Sequence, residues 1–423
     1  MKLLSNAVGC ALALALAAAA TPVSAQYGAS AAPQRTAAPP PPAAASPAQR
    51  QLKLSAGAQK AIIDLQTAVK AKNTAAIPGL VAAANAVAKN PDDRYAIASL
   101  QLQAAADADD SAALVAAADA MRANGAPTSP LLSVYLHAGQ SFGNAKQYAL
   151  ATAALDKALA IDPGNVDALL LKSDLSLKQG NSAASVTALN QAITVQKAAG
   201  KAVPEGWYQA AVARSYEAKL PSTYESARQW VTAYPTQQHW RDAINIYRNM
   251  SGLDRAGLID MFRLARVTKS LTGEIDYLVA AETFTSHGFP GEAIALLNEG
   301  DAAKSISLSS VTFARPYALA KGKSIGDRAA ATAAARTALA APVAATTMAA
   351  ADRLLGYGDF VQAATLYRAA LGKAGANADL INLRLGEALA QSGDKAGATA
   401  ALQAVGPSQS EVAKYWLAWV ATR

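Results

Sequence analysis

The sequence predicts an all-α protein, a right-handed superhelical solenoid of antiparallel helix pairs, and three observations predict it. Hydrophobic residues make up 52% of the 423-residue chain, yet much of that fraction is alanine, the best helix former and too small to build a deep globular core alone. Runs such as 329–341 and 345–351 lack the β-branched alternation of strands. A period near 34 residues recurs along the chain, so the helices come as repeating pairs that rotate slightly at each step.

From the N-terminus, Lys2 precedes an apolar run through Leu12 to Ala20 and then Thr21-Pro22-Val23-Ser24-Ala25. Small residues at Val23 and Ala25 predict a signal peptide over 1–25, with the mature chain starting at Gln26. A retained anchor is the rival reading, but the run is shorter than the ~20 residues that span a bilayer, and no later segment offers a span. Cys10 is the only cysteine. In a lipoprotein site the apolar run comes before the cysteine, whereas here it follows. Once the leader is removed no thiol remains, and packing alone must hold the fold. Lys2 is the leader's only charge, so the formal +8 becomes +7, a mild bias rather than a nucleic-acid footprint. Acidic protein faces and anionic envelope polymers stay open as partners.

Residues 26–51, with Pro39 to Pro42 set among Ala, Ser and Gln, predict a disordered Ala/Pro-rich linker. Over 52–130 the pattern is degenerate: Lys72-Asn73 is expected as a turn, Pro91 as a stop, and Tyr95, Ala98, Ser99 and Leu102 as a new helix, giving two units. The region 131–203 is clearest. From Leu132, the residues Tyr135, Ala138, Gly139, Phe142, Ala151, Leu155, Ala158 and Pro163 stand at offsets 4, 7, 8, 11, 20, 24, 27 and 32. Small residues at 8 and 20 let the two helices of a pair approach, large ones at 4, 11 and 24 fill around them, and the proline ends the second helix. From Val166 the next unit places Ser173 and Ser185 at the small offsets and Gly180-Asn181 at the turn. In 274–423, Gly288, Gly322, Gly358 and Gly393 are expected turn glycines, 34, 36 and 35 residues apart, and Leu385 to Leu389 repeats the helix signature. The Gly322 unit fits worst, since Asp327 stands where a small residue belongs. About ten helix pairs are expected.

These offsets resemble the tetratricopeptide repeat superfamily, in two or more units specifically and loosely over about 370 residues. The resemblance implies recognition of a protein or peptide segment in a concave groove, without naming the segment. Exported bacterial members take part in envelope assembly, polysaccharide secretion and cell division.

The chemistry-bearing candidates are few. Gly139-Gln140-Ser141-Phe142-Gly143 matches a nucleophile elbow, but that motif needs a strand-to-helix turn, and Gly139 and Phe142 already serve the repeat. Gly322-Lys323-Ser324 echoes a phosphate loop whose required earlier glycine is Tyr317. His137, His239 and His287 are too scattered for a metal site. No catalytic residue, metal or cofactor is therefore expected. The region 204–273 departs from the pattern, with Trp207, Trp230, Trp240 and several tyrosines. Trp240, Ile244 and Tyr247 share one helical face, and Arg241, Asn245 and Arg248 the next. With the first face in the core, Tyr208, Arg241, Asn245 and Arg248 form a candidate partner-binding groove suited to a carboxylate. The alternative is that the aromatics pack an irregular junction and the arginines are solvated. The functional expectation is a non-catalytic protein-protein interaction scaffold of the periplasm or cell envelope, peripheral to the outer membrane at most. Its alternative is an accessory for exopolysaccharide export or anionic-polymer binding.

Overall fold

The computed structural model describes residues 51–253 and 257–423. The expected leader and all but the end of the expected linker lie outside the described residues. Among the described residues there are twenty-one α-helices and no strand, apart from an isolated bridge between Val343 and Ala374. No described helix is long and apolar enough to cross a membrane. The chain divides into two compact units between Gly206 and Trp207.

The first unit holds α1 (Ala56–Lys70), α2 (Ile77–Val87), α3 (Pro91–Asp107), α4 (Ser111–Ala123), α5 (Ser129–Asn144), α6 (Tyr148–Ile161), α7 (Val166–Lys178) and α8 (Ser182–Ala198), packed as four consecutive hairpins. Short polar side chains cap four of these helices. Asp110, Asn165 and Asn181 accept from the first free backbone N–H groups of α4, α7 and α8. Asn90 and Asp93 form a capping box on α3, with Pro91 in its first turn. Pro91, expected as a stop, therefore opens the next helix, where its fixed φ fits and its missing N–H is not needed. Within the pairs the chain turns through left-handed residues, Lys72, Asp109, Lys146 and Gly180, at φ 53°, 52°, 58° and 75°.

The small residues act as the repeat requires. A Cβ on Gly139 would lie 2.7 Å from Leu155 Cδ2, so glycine lets α5 and α6 approach this closely. In the next pair Ser173 Oγ donates to the Ser185 carbonyl at 2.8 Å, with both side chains buried. Tyr135 is fully buried and its hydroxyl donates to Asp119 at 2.8 Å, which also receives Lys157. Each large side chain buried here, such as Leu155 or Phe142, contributes roughly 1.5–3 kcal/mol.

The second unit holds α9 (Glu205–Glu217, whose first two residues precede the division), α10 (Thr223–Ala233), α11 (Gln237–Met250), α12 (Ile259–Val267), α13 (Glu274–Ser286), α14 (Pro290–Ala302), α15 (Val311–Ser324), α16 (Asp327–Ala338), α17 (Ala344–Gly356), α18 (Phe360–Leu371), α19 (Ala378–Ser392), α20 (Lys395–Gln403) and α21 (Ser410–Ala421). Gly288, Gly358 and Gly393 turn at φ 85°, 81° and 90°, as their spacing predicts. Gly322 does not. It lies inside α15, and the turn is made by Gly326 at φ 73°. Counting from Gly326 puts the fully buried Ala331 at the small-residue offset, while Asp327, which broke the expected register, is the first residue of α16.

Helix α21 packs on α19 and α20 and also on α10 and α12, so early and late helices of this unit meet. Trp416 Nε1 donates to the Asp260 carbonyl of α12 at 3.2 Å. Tyr415 lies edge-on to Tyr247, centroids 5.6 Å apart, and Arg228 reaches from α10 to Glu411 of α21 at 2.5 Å. The unusual aromatic stretch is thus the seat of the last helix, and packing is its first role. Burial, with the neighbouring Tyr224, pushes the Tyr247 phenol up to about 12, so it stays neutral.

Candidate functional site

The residues singled out from sequence come together only in part. Trp240, Ile244 and Tyr247 are buried as one core face of α11, and Arg241, Asn245 and Arg248 lie half-buried beside it. Arg248 Nη1 donates to Asp276 Oδ1 at 3.2 Å and to Asn245 Oδ1 at 3.3 Å, and Arg241 Nε stands 4.0 Å from Asp276 Oδ2. The face therefore holds a carboxylate, as its chemistry suggests, but that carboxylate is the chain's own, from α13. Arg248 also lies over the Phe262 ring at 5.1 Å. Tyr208 needs correction: it is 2% exposed and packs edge-on against Tyr234, centroids 6.0 Å apart, so it belongs to the core rather than to a groove.

One helix further on, α12, α14, α17 and α19 bury a charge network that the sequence did not suggest. Arg263 donates to Asp260 at 2.7 Å, to Glu292 at 2.9 and 3.0 Å, and to Glu387 at 3.5 Å. Arg384 donates to Asp352 at 2.7 Å and to Asp260 at 3.3 Å, and the Tyr367 hydroxyl donates to Asp352 at 2.6 Å. Two guanidiniums thus face four carboxyls. Burial opposes the charge on Asp260, but Arg384 and Arg263 outweigh it and hold that carboxyl below the ordinary range. Glu387 goes the other way. It is 0% exposed, its Oε1 has no hydrogen-bond partner, and burial first, then the charge of Asp260, raise it well above the ordinary carboxylate value.

Beside this network, one turn along α12 from Arg263, a cavity of about 870 Å³ opens to solvent. Its walls come from the ends of α12, α14, α19 and α21, the starts of α11, α13, α18 and α20, and turns beside them. Leu271, Leu296, Tyr277 and Trp419 are buried side chains that give it an apolar floor. Four cations line it, Arg266, Lys269, Lys395 and Arg423, against one acidic side chain, Glu299. Arg266 holds Glu299 in a two-pronged pair at 2.9 and 2.7 Å, so these two cancel. Lys395 donates to the backbone oxygen of Arg423, and the Arg423 guanidinium lies over the Trp419 ring at 4.9 Å. Lys269 stands exposed at a left-handed turn, φ 56°, with no ion pair to its ammonium among the described residues. Uncancelled cations over an apolar floor focus a positive potential into the opening.

Ser141 sits inside the continuous helix α5, not on a strand-to-helix elbow. With Asp109, His137, Gln140 and Asn144 it lines a shallow recess of about 230 Å³, where His137 Nε2 lies 3.5 Å from the exposed Asp109. No hydrogen bond among the described residues joins Ser141 to His137. Gly322 and Lys323 lie in the last turn of α15, where no loop cradles a phosphate.

The cavity residues were missed because Lys269, Lys395 and Arg423 are isolated charges in the sequence. The one usable signal was Tyr415-Trp416-Leu417-Ala418-Trp419, a bulky segment in an otherwise alanine-rich half. Residues 144–198, which cover the turn of α5–α6 through the end of α8, match the family model of the tetratricopeptide repeat. No curated protein matches the chain.

Proposed function

We propose that this tetratricopeptide-repeat superfamily chain is a non-catalytic protein-interaction scaffold of the bacterial cell envelope, and that the cavity of its second unit receives a segment of the partner. The observation that carries the reading is that cavity: it is solvent-open and has apolar depth, and its rim cations are not all consumed by internal acids. The arginine face of α11 is a weaker choice because Asp276 already occupies it. Export rests on the leader pattern of residues 1–25 and on the lack of a later apolar span in the sequence.

Two measurements test the reading. Osmotic-shock fractionation is expected to release a mature chain that begins at Gln26; a chain retained in the cytoplasm with Met1 in place removes the envelope assignment. Photo-crosslinking in cells from position 391, on the cavity wall, is expected to trap a protein, whereas the same probe at position 141 traps none. Protein capture from position 141 and none from 391 would move the partner surface to the first unit.

A further inference from the structure

We infer that the cavity of the second unit binds an acidic peptide segment carrying one large apolar side chain. The inference rests on the scaffold reading and adds the chemistry of the partner. Three features select this occupant. Lys269 and Arg423 stand on the rim with no acidic side chain matched to them, so carboxylates on the segment would find cations that the fold has not neutralised. Between them the floor of Leu271, Leu296 and Trp419 offers an apolar surface that covers a side chain but satisfies no charge. The amides of Gln237 and Gln391 line the same opening and supply donors and acceptors that a peptide backbone requires and an acyl chain would leave unused. The volume, about 870 Å³, lies within the range of pre-formed ligand clefts, roughly 300–1,000 Å³. Arg423 has a second function here. Lying over the Trp419 ring, its guanidinium joins the basic rim to the apolar floor.

The probe is a pool of fluorescent nine-residue peptides, each with a central Leu or Phe flanked by Asp and Glu. The full chain is expected to bind the pool, and changing the central residue to Ser or the acids to Lys is expected to abolish binding. The double variant Lys269→Glu/Arg423→Glu is expected to weaken binding by about tenfold or more, with the loss growing at low salt. Arg315→Glu/Lys321→Glu makes the same charge change at exposed positions away from the cavity and is expected to leave binding unaltered. Unaltered far-ultraviolet circular dichroism and thermal midpoint show that either variant is folded.

Equal loss in both double variants overturns the cavity assignment in favour of diffuse charge attraction. Failure of the peptides together with saturable, Lys269-dependent binding of oligomers of a carboxylated polysaccharide overturns the peptide assignment. The scaffold reading has its own readout: if position 391 still crosslinks a protein in cells while Lys269→Glu/Arg423→Glu captures it at full yield, the peptide chemistry is wrong and the scaffold stands. If no position captures a protein, the scaffold reading itself falls.

Discussion

The two units use the same turn chemistry and the same close helix approach, yet they are held together differently. In the first unit the stabilising contacts described join neighbours in sequence: Gly139 against Leu155, Ser173 against Ser185, Tyr135 to Asp119. In the second, Arg263 reaches Glu387 and Arg384 reaches Asp260, each 124 residues away, and Trp416 reaches Asp260 across 156. The first unit is a sum of nearest-neighbour terms, the usual energetics of a repeat array. The second is tied through a buried cluster in which removing one member strands the others, so it should unfold as one cooperative block. All five tryptophans, Trp207, Trp230, Trp240, Trp416 and Trp419, lie in the second unit, so their emission reports on it alone.

The sharpest way to break this comparison is Arg263→Ala. It leaves Glu292, Asp260 and Glu387 buried without their shared cation and is expected to cost about 3–5 kcal/mol. The tryptophan transition is expected to shift to lower denaturant, while amide exchange in α5 to α8 stays unchanged. Loss of protection in both units would mean that they do not differ as described.

Next are the matched glycines. A Cβ at position 386 would lie 2.4 Å from Leu402 Cγ, and one at 139 lies 2.7 Å from Leu155 Cδ2. Gly386→Val and Gly139→Val are each expected to cost about 1–3 kcal/mol by overpacking. Hydrogen exchange separates the units: the change at 139 is expected to loosen α5 and α6 alone, and the one at 386 the whole second unit.

Glu387→Gln has a smaller effect and the opposite sign. In the folded protein burial and the charge of Asp260 hold this carboxyl well above its ordinary value, whereas the unfolded chain releases the proton near ~4.3. Its favourable contribution is therefore fully present below that pH and is lost as pH rises through the raised folded value. Asp260, held below the ordinary range, contributes above its unfolded value and loses that contribution as pH falls through its lowered folded value. The wild-type tryptophan transition is expected to weaken from mildly acidic to alkaline pH. The Gln variant should flatten that slope and gain on the order of 1 kcal/mol at neutral pH. An unchanged slope would show that Glu387 does not set it.

The smallest effect is expected in the first unit. Ser173→Ala removes one buried hydrogen bond to the Ser185 carbonyl and is expected to cost about 0.5–1.5 kcal/mol, read from exchange in α7 and α8.

Much of the fold was legible because its determinants are local. Offsets 8, 20 and 24 gave the Gly139–Leu155 contact, and Gly180, Gly288, Gly358 and Gly393 gave the turns. A search for glycines misses Asp109 and Lys146, which turn left-handed without being glycine, whereas Lys72 makes the expected turn; Gly322 misled because the helix runs through it to Ser324 and Gly326 makes the turn. The site was much less legible. Glu387 sits in a regular helix signature and Arg263 among ordinary helical charges; nothing in their spacing shows that a distant helix will bury them together. The sequence places Arg241, Asn245 and Arg248 on one helical face, but it does not show that Asp276 arrives from α13 to pair with the arginines.

The glycine-to-leucine contacts also constrain how such a chain can change over generations. Position 139 has no side-chain volume because position 155 takes it all, and positions 386 and 402 divide their space in the same way. Substitutions at such a pair are coupled rather than additive. The order of arrival then matters: a smaller residue at 155 opens room that a later alanine at 139 can fill, whereas the alanine arriving first meets the leucine head-on. Lineages of this protein should therefore keep the glycine until the leucine shrinks, and exchange bulk across the helix pair in that direction only.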